Sequence, residues 1–237
     1  MTAMSAKDTS AETTSRPRKR ERTRDRLLTA AQELILEQPA STITIRQVTE
    51  RADVVQATFY NYYKTREELF AAVGLLIHTD YSRVIDQVIA GLDDAAEIFA
   101  ASVRQTLAYV TVEKTYGKLL FDSGLPIDQF LVGMRVRFKV DLARGIEQGR
   151  FKVTNPALEL SMIPGSNLSV ALDLYRGFLS PEAIPQVIQR NLEILGVRSA
   201  TAKRIANMDL ELVVPPPLPV SWLRVREESA PPGAPSQ

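Results

Sequence analysis

Two threonine-led capping boxes bracket the segment that most restricts the fold. Thr44-Ile45-Arg46-Gln47 and Thr65-Arg66-Glu67-Glu68 each set a hydroxyl ahead of a helix and an amide or carboxylate three residues later, so each marks a helix start. Between them Ile45, Val48 and Ala52 share one helical face, and Val54 and Phe59 continue the apolar lining beyond a tight turn. Residues 44–70 therefore read as a short helix, a turn, a second short helix and the beginning of a third. With Phe59 and Tyr63 turned inward, spacing places Gln56, Tyr60 and Asn61 outward. Amides make paired hydrogen bonds to adenine and a phenol donates to phosphate. The outward set thus has the chemistry of a helix laid in the major groove of duplex DNA.

Directly upstream, Arg16, Arg18, Lys19, Arg20, Arg22, Arg24 and Arg26 are opposed only by Glu21 and Asp25. The whole chain carries 29 Lys and Arg against 28 Asp and Glu, so this positive field is local. Such a run is a solvated tail, a set of cations on phosphate or in the minor groove, or both. Contact with DNA would make binding weaken steeply with salt.

Residues 52–69, ADVVQATFYNYYKTREEL, resemble the DNA-binding domain of the TetR family of bacterial transcriptional regulators, and the likeness runs from about Arg22 to about Val73. The family pattern is Ala-Gly-Val-Ser, a small residue, Thr-Leu-Tyr, any residue, Tyr-Phe, then Lys-Glu-Glu-Leu a few residues on. The resemblance implies phosphate or base contacts from Thr44, Gln56, Ala57, Thr58, Tyr60 and Asn61, with phosphate anchoring near Lys64 and Arg66 at a helix start. With Arg18, Lys19 and Arg20 of the arm and Arg46, these make up the expected DNA-contacting set. Two positions depart from the pattern. Asp53 replaces the turn glycine, which asks a non-glycine residue to adopt a left-handed backbone, and Asp does so more readily than most. Val55 replaces the capping serine, so the second helix starts at Asp53 or leaves its first N–H groups to water.

The remainder reads as helical almost throughout. One helix is expected over 66–89 and another from the Asp94-Ala95-Ala96-Glu97 capping box to about Thr111. A short segment surrounds Tyr116–Phe121, and Pro126 opens a helix ending near Gly149. Asn155-Pro156 and Ser180-Pro181 are further starts, a polar residue followed by proline at the first helical position. A last piece covers Ala200 to Met208. The expected fold is all-α: an N-terminal helix-turn-helix three-helix DNA-binding domain, then a helical-bundle ligand-binding and dimerisation domain. The divisions are 1–21 (disordered basic arm), 22–70 (helix-turn-helix domain), 71–207 (regulatory and dimerisation domain) and 208–237 (Pro-rich extended tail). Met208–Leu212 alternates like a strand, but residues 215–237 hold seven of the 14 prolines, which ends regular structure. Trp222 and Leu223 could dock on the body or on a partner subunit.

The layout of the rear half also resembles the regulatory half of TetR-type proteins. That likeness implies a homodimer through helices over about 155–178 and 181–195. Leu168, Val170, Leu172, Val187, Ile188, Leu192 and Leu195 suit such an interface and suit packing within one chain equally well. It further implies a small-molecule effector, of unknown identity, among the helices behind the DNA-binding unit. Tyr109, Tyr116, Phe121, Phe130, Met134, Phe138 and Tyr175 are candidate lining residues, though aromatic and Met residues at helical spacing also simply fill cores. His78, the single histidine, is either a hydrogen-bonding group for a ligand or a bystander.

Composition excludes several classes. With no cysteine and one histidine there is no disulfide, no thiolate chemistry and little material for a nucleophile and base. No metal-ligand motif or phosphate-binding glycine loop is present, so no cofactor, metal or enzymatic activity is expected. No apolar run reaches membrane-spanning length, and the polar start is not a signal peptide, which fits a cytoplasmic protein. The expected partners are a double-stranded DNA operator and a second copy of the chain. The other functional readings are a helical protein-interaction module and a DNA-binding regulator without a small-molecule effector.

Overall fold

The computed structural model describes residues 12–112, 114–214 and 219. Ten α-helices follow in chain order: α1 (Glu12–Glu37), α2 (Ile45–Arg51), α3 (Gln56–Phe59), α4 (Arg66–Val88), α5 (Ala95–Val112), α6 (Lys114–Phe121), α7 (Ile127–Glu147), α8 (Pro156–Arg176), α9 (Ile184–Ile194) and α10 (Ser199–Ala206). The described residues contain no strand, and the fold is all-α.

Local chemistry explains most of these boundaries. Thr44 accepts from the Gln47 N–H while the Gln47 Oε1 accepts from the Thr44 N–H at 2.8 Å, the reciprocal box expected ahead of α2. Thr65 likewise caps α4 through the Glu68 N–H, but the Glu68 carboxylate reaches one residue further back, to the Lys64 N–H at 2.6 Å. Asp94 Oδ1 accepts from Ala96 and Glu97 to open α5, and Asn155 caps α8 ahead of Pro156. Gly149, Gly177 and Gly196 close helices with φ of 66°, 77° and 82°. At Gly196 a Cβ would lie 2.8 Å from the Lys152 carbonyl oxygen, so that close approach also requires glycine.

Two hydrophobic cores result. The smaller gathers Leu27, Ile35, Ile43, Val48, Phe59, Leu69 and Val73 from α1 to α4. The larger joins α5, α7, α8, α9 and α10 around Phe99, Leu107, Leu142, Ile163, Ile188 and Leu192. α4 runs from the first to the second. Leu119 of α6 is buried in the smaller core, the Ala40 N–H donates to the Ser123 carbonyl at 2.7 Å, and Lys118 donates to the Leu36 carbonyl. α6 and the turn after it are therefore the joint between the two units.

The structure departs from the sequence expectations at several places. Residues 12–21 of the arm, expected to be disordered, form the first turns of α1, continuous with a helix anchored by Leu27, Leu34 and Ile35. Ser180-Pro181 opens only a 3₁₀ turn (Pro181–Ala183), and the α-helix begins at Ile184. Ile188, Leu192 and Leu195, offered as interface residues, are fully buried within the chain. Residues 208–214 do not form a strand. They run as a coil held where the Gln105 side chain donates to the Val213 carbonyl (2.8 Å) and accepts from its N–H (3.1 Å). Trp222 and Leu223 lie outside the described residues.

Candidate nucleic-acid interface and effector cavity

α2 and α3 meet at a turn whose pivot is Asp53, the one non-glycine among the described residues with positive φ, at 50°. Its left-handed backbone is held from α1: the Arg26 guanidinium donates to the Asp53 carbonyl at 2.6 Å and to its carboxylate at 2.8 Å. α3 then starts at Gln56, not at Asp53, with Val55 as its first flanking residue, 71% exposed and without a side-chain cap. The Thr58 N–H donates back to the Val55 carbonyl at 2.8 Å.

Phe59, the last residue of this short helix, is fully buried and Tyr63, beyond the following turn, nearly so, with ring centroids 5.9 Å apart. Their burial rotates Gln56, Ala57, Tyr60 and Asn61 outward, as the spacing indicates; Thr58 is half-buried. Tyr60 stays 54% exposed, held edge-on to Phe59 at 5.5 Å. Thr44 and Arg46 are exposed at the start of α2, where Arg46 pairs with Glu50 at 2.7 Å. Lys19 and Arg20 are exposed on α1, while the Arg18 side chain lies outside the described residues. Lys64 is exposed. Arg66 instead turns inward, donating to the carbonyls of Ser41 (2.8 Å) and Ile43 (3.1 Å), so it ties α4 to the loop before α2. The result is one face with two outward amides and a phenol, flanked by cations. Such a face can accept phosphate and read base edges.

Behind the joint lie three small cavities in series. A cavity of about 120 Å³ sits between α4, α6 and the start of α7 and touches His78 and Phe130. Beyond Ile77, Leu120 and Phe130 lies one of about 20 Å³ against Tyr81, Tyr109, Tyr116 and Met134. Tyr81, Thr106, Met134 and Asn167 separate that one from a third, of about 40 Å³, reaching Phe99, Arg137, Phe138, Asp141 and Pro164. Six of the eight sequence candidates therefore line cavities: His78, Tyr109, Tyr116, Phe130, Met134 and Phe138. Phe121 and Tyr175 line none of the three. They stack on each other at 5.9 Å, and Tyr175 packs where Gly117 has no side chain while its hydroxyl donates to Asp122 at 2.7 Å.

The polar groups of the third cavity were not legible as ligand groups. Arg137 pairs with Asp86 at 2.9 Å through one terminal nitrogen, while its Nε is buried without a partner. Asp141, one turn on, is buried, and that burial pushes its carboxyl above the usual carboxylate range against the pull of Arg137 and Arg144. The Ser102 hydroxyl is likewise buried and unpartnered. Thr106 donates to the Ser102 carbonyl at 2.7 Å, which leaves Tyr81 to donate to Thr106 at 2.5 Å. Asn191 donates to the Asn167 oxygen at 2.7 Å, and Asn167 lines the cavity. Aromatic walls with both donors and acceptors at one end suit a small uncharged ring bearing hydroxyl groups. On sequence alone Arg137 and Asp141, four apart on a helix, look like an exposed ion pair. No group of metal-ligating side chains occurs among the described residues, and none of their helices is long and apolar enough to cross a membrane.

Residues 27–73 match the family described as bacterial regulatory proteins, tetR family, and residues 94–208 match the tetracyclin repressor-like C-terminal domain. No curated protein is significantly similar to the chain in sequence. Among solved structures, RolR in complex with its ligand resorcinol is 30% identical, with 82% of this chain and 98% of that chain covered and a TM-score of 0.65. The fatty acid degradation regulator FadR from Bacillus halodurans is 19% identical (74% and 97% covered, TM-score 0.58). Escherichia coli NemR in its reduced form is 18% identical (74% and 99% covered, TM-score 0.59). These last two share the fold.

Proposed function

The chain belongs to the TetR family and is a DNA-binding transcriptional regulator, and from that premise we propose a homodimeric, cytoplasmic repressor that leaves its operator when a small hydroxylated aromatic molecule binds. The observation that carries the DNA part is the outward set Gln56, Tyr60 and Asn61, on α3 and the turn that follows it, with Phe59 and Tyr63 buried beneath them. One such helix covers a few base pairs. Two copies related by a two-fold axis, with half-sites about 34 Å apart, supply the affinity and length a specific site needs. Exposed apolar residues on α8 (Leu158 and Met162) and on α7 (Val132, Val136 and Val140) support a second copy against this side of the bundle.

The effector part rests on the chemistry of the third cavity, which at about 40 Å³ must widen to admit a ring. Its aromatic wall and the Arg137, Asp141 and Ser102 groups match the needs of a phenol, and the similar protein RolR was solved with resorcinol. A ligand there touches α4, α5, α7 and α8, and acts by binding the DNA-incompetent arrangement of α4 more tightly than the competent one. Repression needs no catalysis, because occupancy of promoter DNA is enough. The test is capture and sequencing of genomic fragments by the purified protein, beside Tyr60→Ala, with and without mono- and dihydroxybenzenes. A two-fold symmetric site enriched by the parent protein alone and lost with one of these phenols is the expected result. Enrichment unchanged in Tyr60→Ala would overturn the reading of α3.

A further inference from the structure

Two neighbouring residues of α5 hold the chain that follows α10. Arg104 donates to the carbonyl of Ala206, the last residue of α10, and feels the opposite charge of Asp209. Gln105 then fixes Val213 by both of its backbone groups, donating to the carbonyl at 2.8 Å and accepting from the N–H at 3.1 Å. Gln105 is 1% exposed. A buried amide must find partners, and the Val213 backbone supplies an acceptor and a donor together. The match to the C-terminal domain covers residues 94–208, so residues 209–214 lie beyond it.

The attachment is light. Residues 209–212 make no hydrogen bond among the described residues, and Leu212 and Val214 are exposed. On release, water would replace both bonds between Gln105 and Val213, so those bonds fix position more than they add strength. The apolar anchor is the Val213 side chain. It packs against a cluster of three buried residues, Val84 of α4, Tyr109 of α5 and Tyr116 of α6, that belongs to neither of the two larger cores. The two tyrosine rings lie 4.1 Å apart. Both α4 and α6 also reach the DNA-binding unit, where Val73 and Leu119 are buried in the smaller core. One residue after α10 thus bears on both helices.

We propose that residues 208–214 are a releasable strap that fixes the seating of α4 and α6 on α5. Unlatching at Gln105 frees the far end of α4 without unfolding the bundle. The contacts of Val213 favour the arrangement in which Val84, Tyr109 and Tyr116 stand together, and they favour no other. By the same linkage, any shift of α4 that parts Val84 from the tyrosines loosens the strap.

The test is hydrogen exchange of the full chain, read residue by residue. The Val213 amide reports the strap, and residues 81–88 and 116–119 report α4 and α6. Gln105→Leu removes both bonds at similar volume. Val213→Ser removes the apolar anchor while leaving α5 intact, and it serves alone should Gln105→Leu lose its melting transition. The expected result is a Val213 amide protected in the parent and unprotected in the variants. Exchange over 81–88 and 116–119 should rise about ten-fold with it, while α8 and α9 keep their parental rates. A Val213 amide that is unprotected in the parent, or still protected in the variants, would overturn the proposal. So would a freed strap with α4 and α6 exchanging as before. An equal rise across α8 and α9 would make the segment a general brace of the bundle and sink the idea of a device acting on α4.

Discussion

Arg26 of α1 grips Asp53 twice, donating to its backbone carbonyl at 2.6 Å and to its carboxylate at 2.8 Å, at the one described non-glycine residue with a left-handed backbone. The two bonds are not equal. The Asp53 side chain is 98% exposed, so its ion pair is screened by water and contributes little. The bond to the carbonyl restrains the turn that sets α3 against α2.

Asp53→Gly should therefore leave stability unchanged or raise it by up to about 1 kcal/mol, because glycine relieves the left-handed strain while the carbonyl bond persists. Arg26→Ala should lower stability by about 1 kcal/mol through loss of that bond. Chemical denaturation of the two variants decides the matter. A destabilised Asp53→Gly would mean that the exposed carboxylate, not the carbonyl, holds the turn.

How much of this could be read from the chain alone depends on the range of the interactions involved. The starts at Thr44, Thr65, Asp94 and Asn155 were legible because a cap is a contact within four residues. The outward face of α3 was legible too, since burying Phe59 and Tyr63 leaves no other rotation. Interface and cavity residues were not. The apolar spacing of Ile188 and Leu192 is the same whether they meet a second copy or, as here, the larger core of their own chain. Tyr175 looked like lining, but Gly117, far away in sequence, opens a slot for its ring. Arg137 and Asp141 went unnoticed because only the tertiary fold buries them.

Gly133 and His78 make a size pair. Gly133→Ala sets a methyl 2.1 Å from the imidazole Cε1, so the ring must turn away, against Tyr81 and Phe130 or into the cavity it lines. Overpacking of this kind destabilises by about 1–3 kcal/mol. His78→Ala should recover most of that loss in the double variant, because the two changes act on one contact. Additive losses in thermal melts would show that the strain of Gly133→Ala falls elsewhere on α7.

Asp80 gives α4 a pH dependence. It is 5% exposed, neither carboxylate oxygen has a hydrogen-bond partner, and burial raises its pKa to about 6 despite nearby Arg83. In the unfolded chain the group ionises near pH 4, so between about pH 4 and 6 the folded state holds a proton the unfolded state has lost. Stability from this group is thus greatest at low pH, falls across that window and is level above it. Asp80→Asn removes the fall. The variant should match the parent near pH 4 and exceed it by about 1–2 kcal/mol at pH 7, a figure reduced from the full shift for residual water access. Parallel denaturation curves with a constant offset from pH 4 to 7 would mean that Asp80 is ionised throughout.

The helical arm bears on how DNA is held. Lys19 and Arg20 stand exposed on α1 with no ion-pair partner among the described residues, whereas Arg26 is committed to Asp53 and Arg66 to the carbonyls of Ser41 and Ile43. A helix presents these cations at fixed spacing, so each either meets a phosphate or misses it. Every phosphate neutralised adds about 0.9 to the slope of log affinity against log salt. Replacing Lys19 and Arg20 by Ala should flatten that slope by about 2 for each copy of the chain bound, and weaken operator and bulk duplex alike, since phosphate contacts carry no sequence information. Arg66→Ala should instead lower the melting temperature, through the loss of its carbonyl bonds, with a smaller change in slope. Fluorescence anisotropy over a salt series reads both. An unchanged slope in the Lys19 and Arg20 double variant would place this part of α1 off the phosphates and leave binding to α2, α3 and the start of α4.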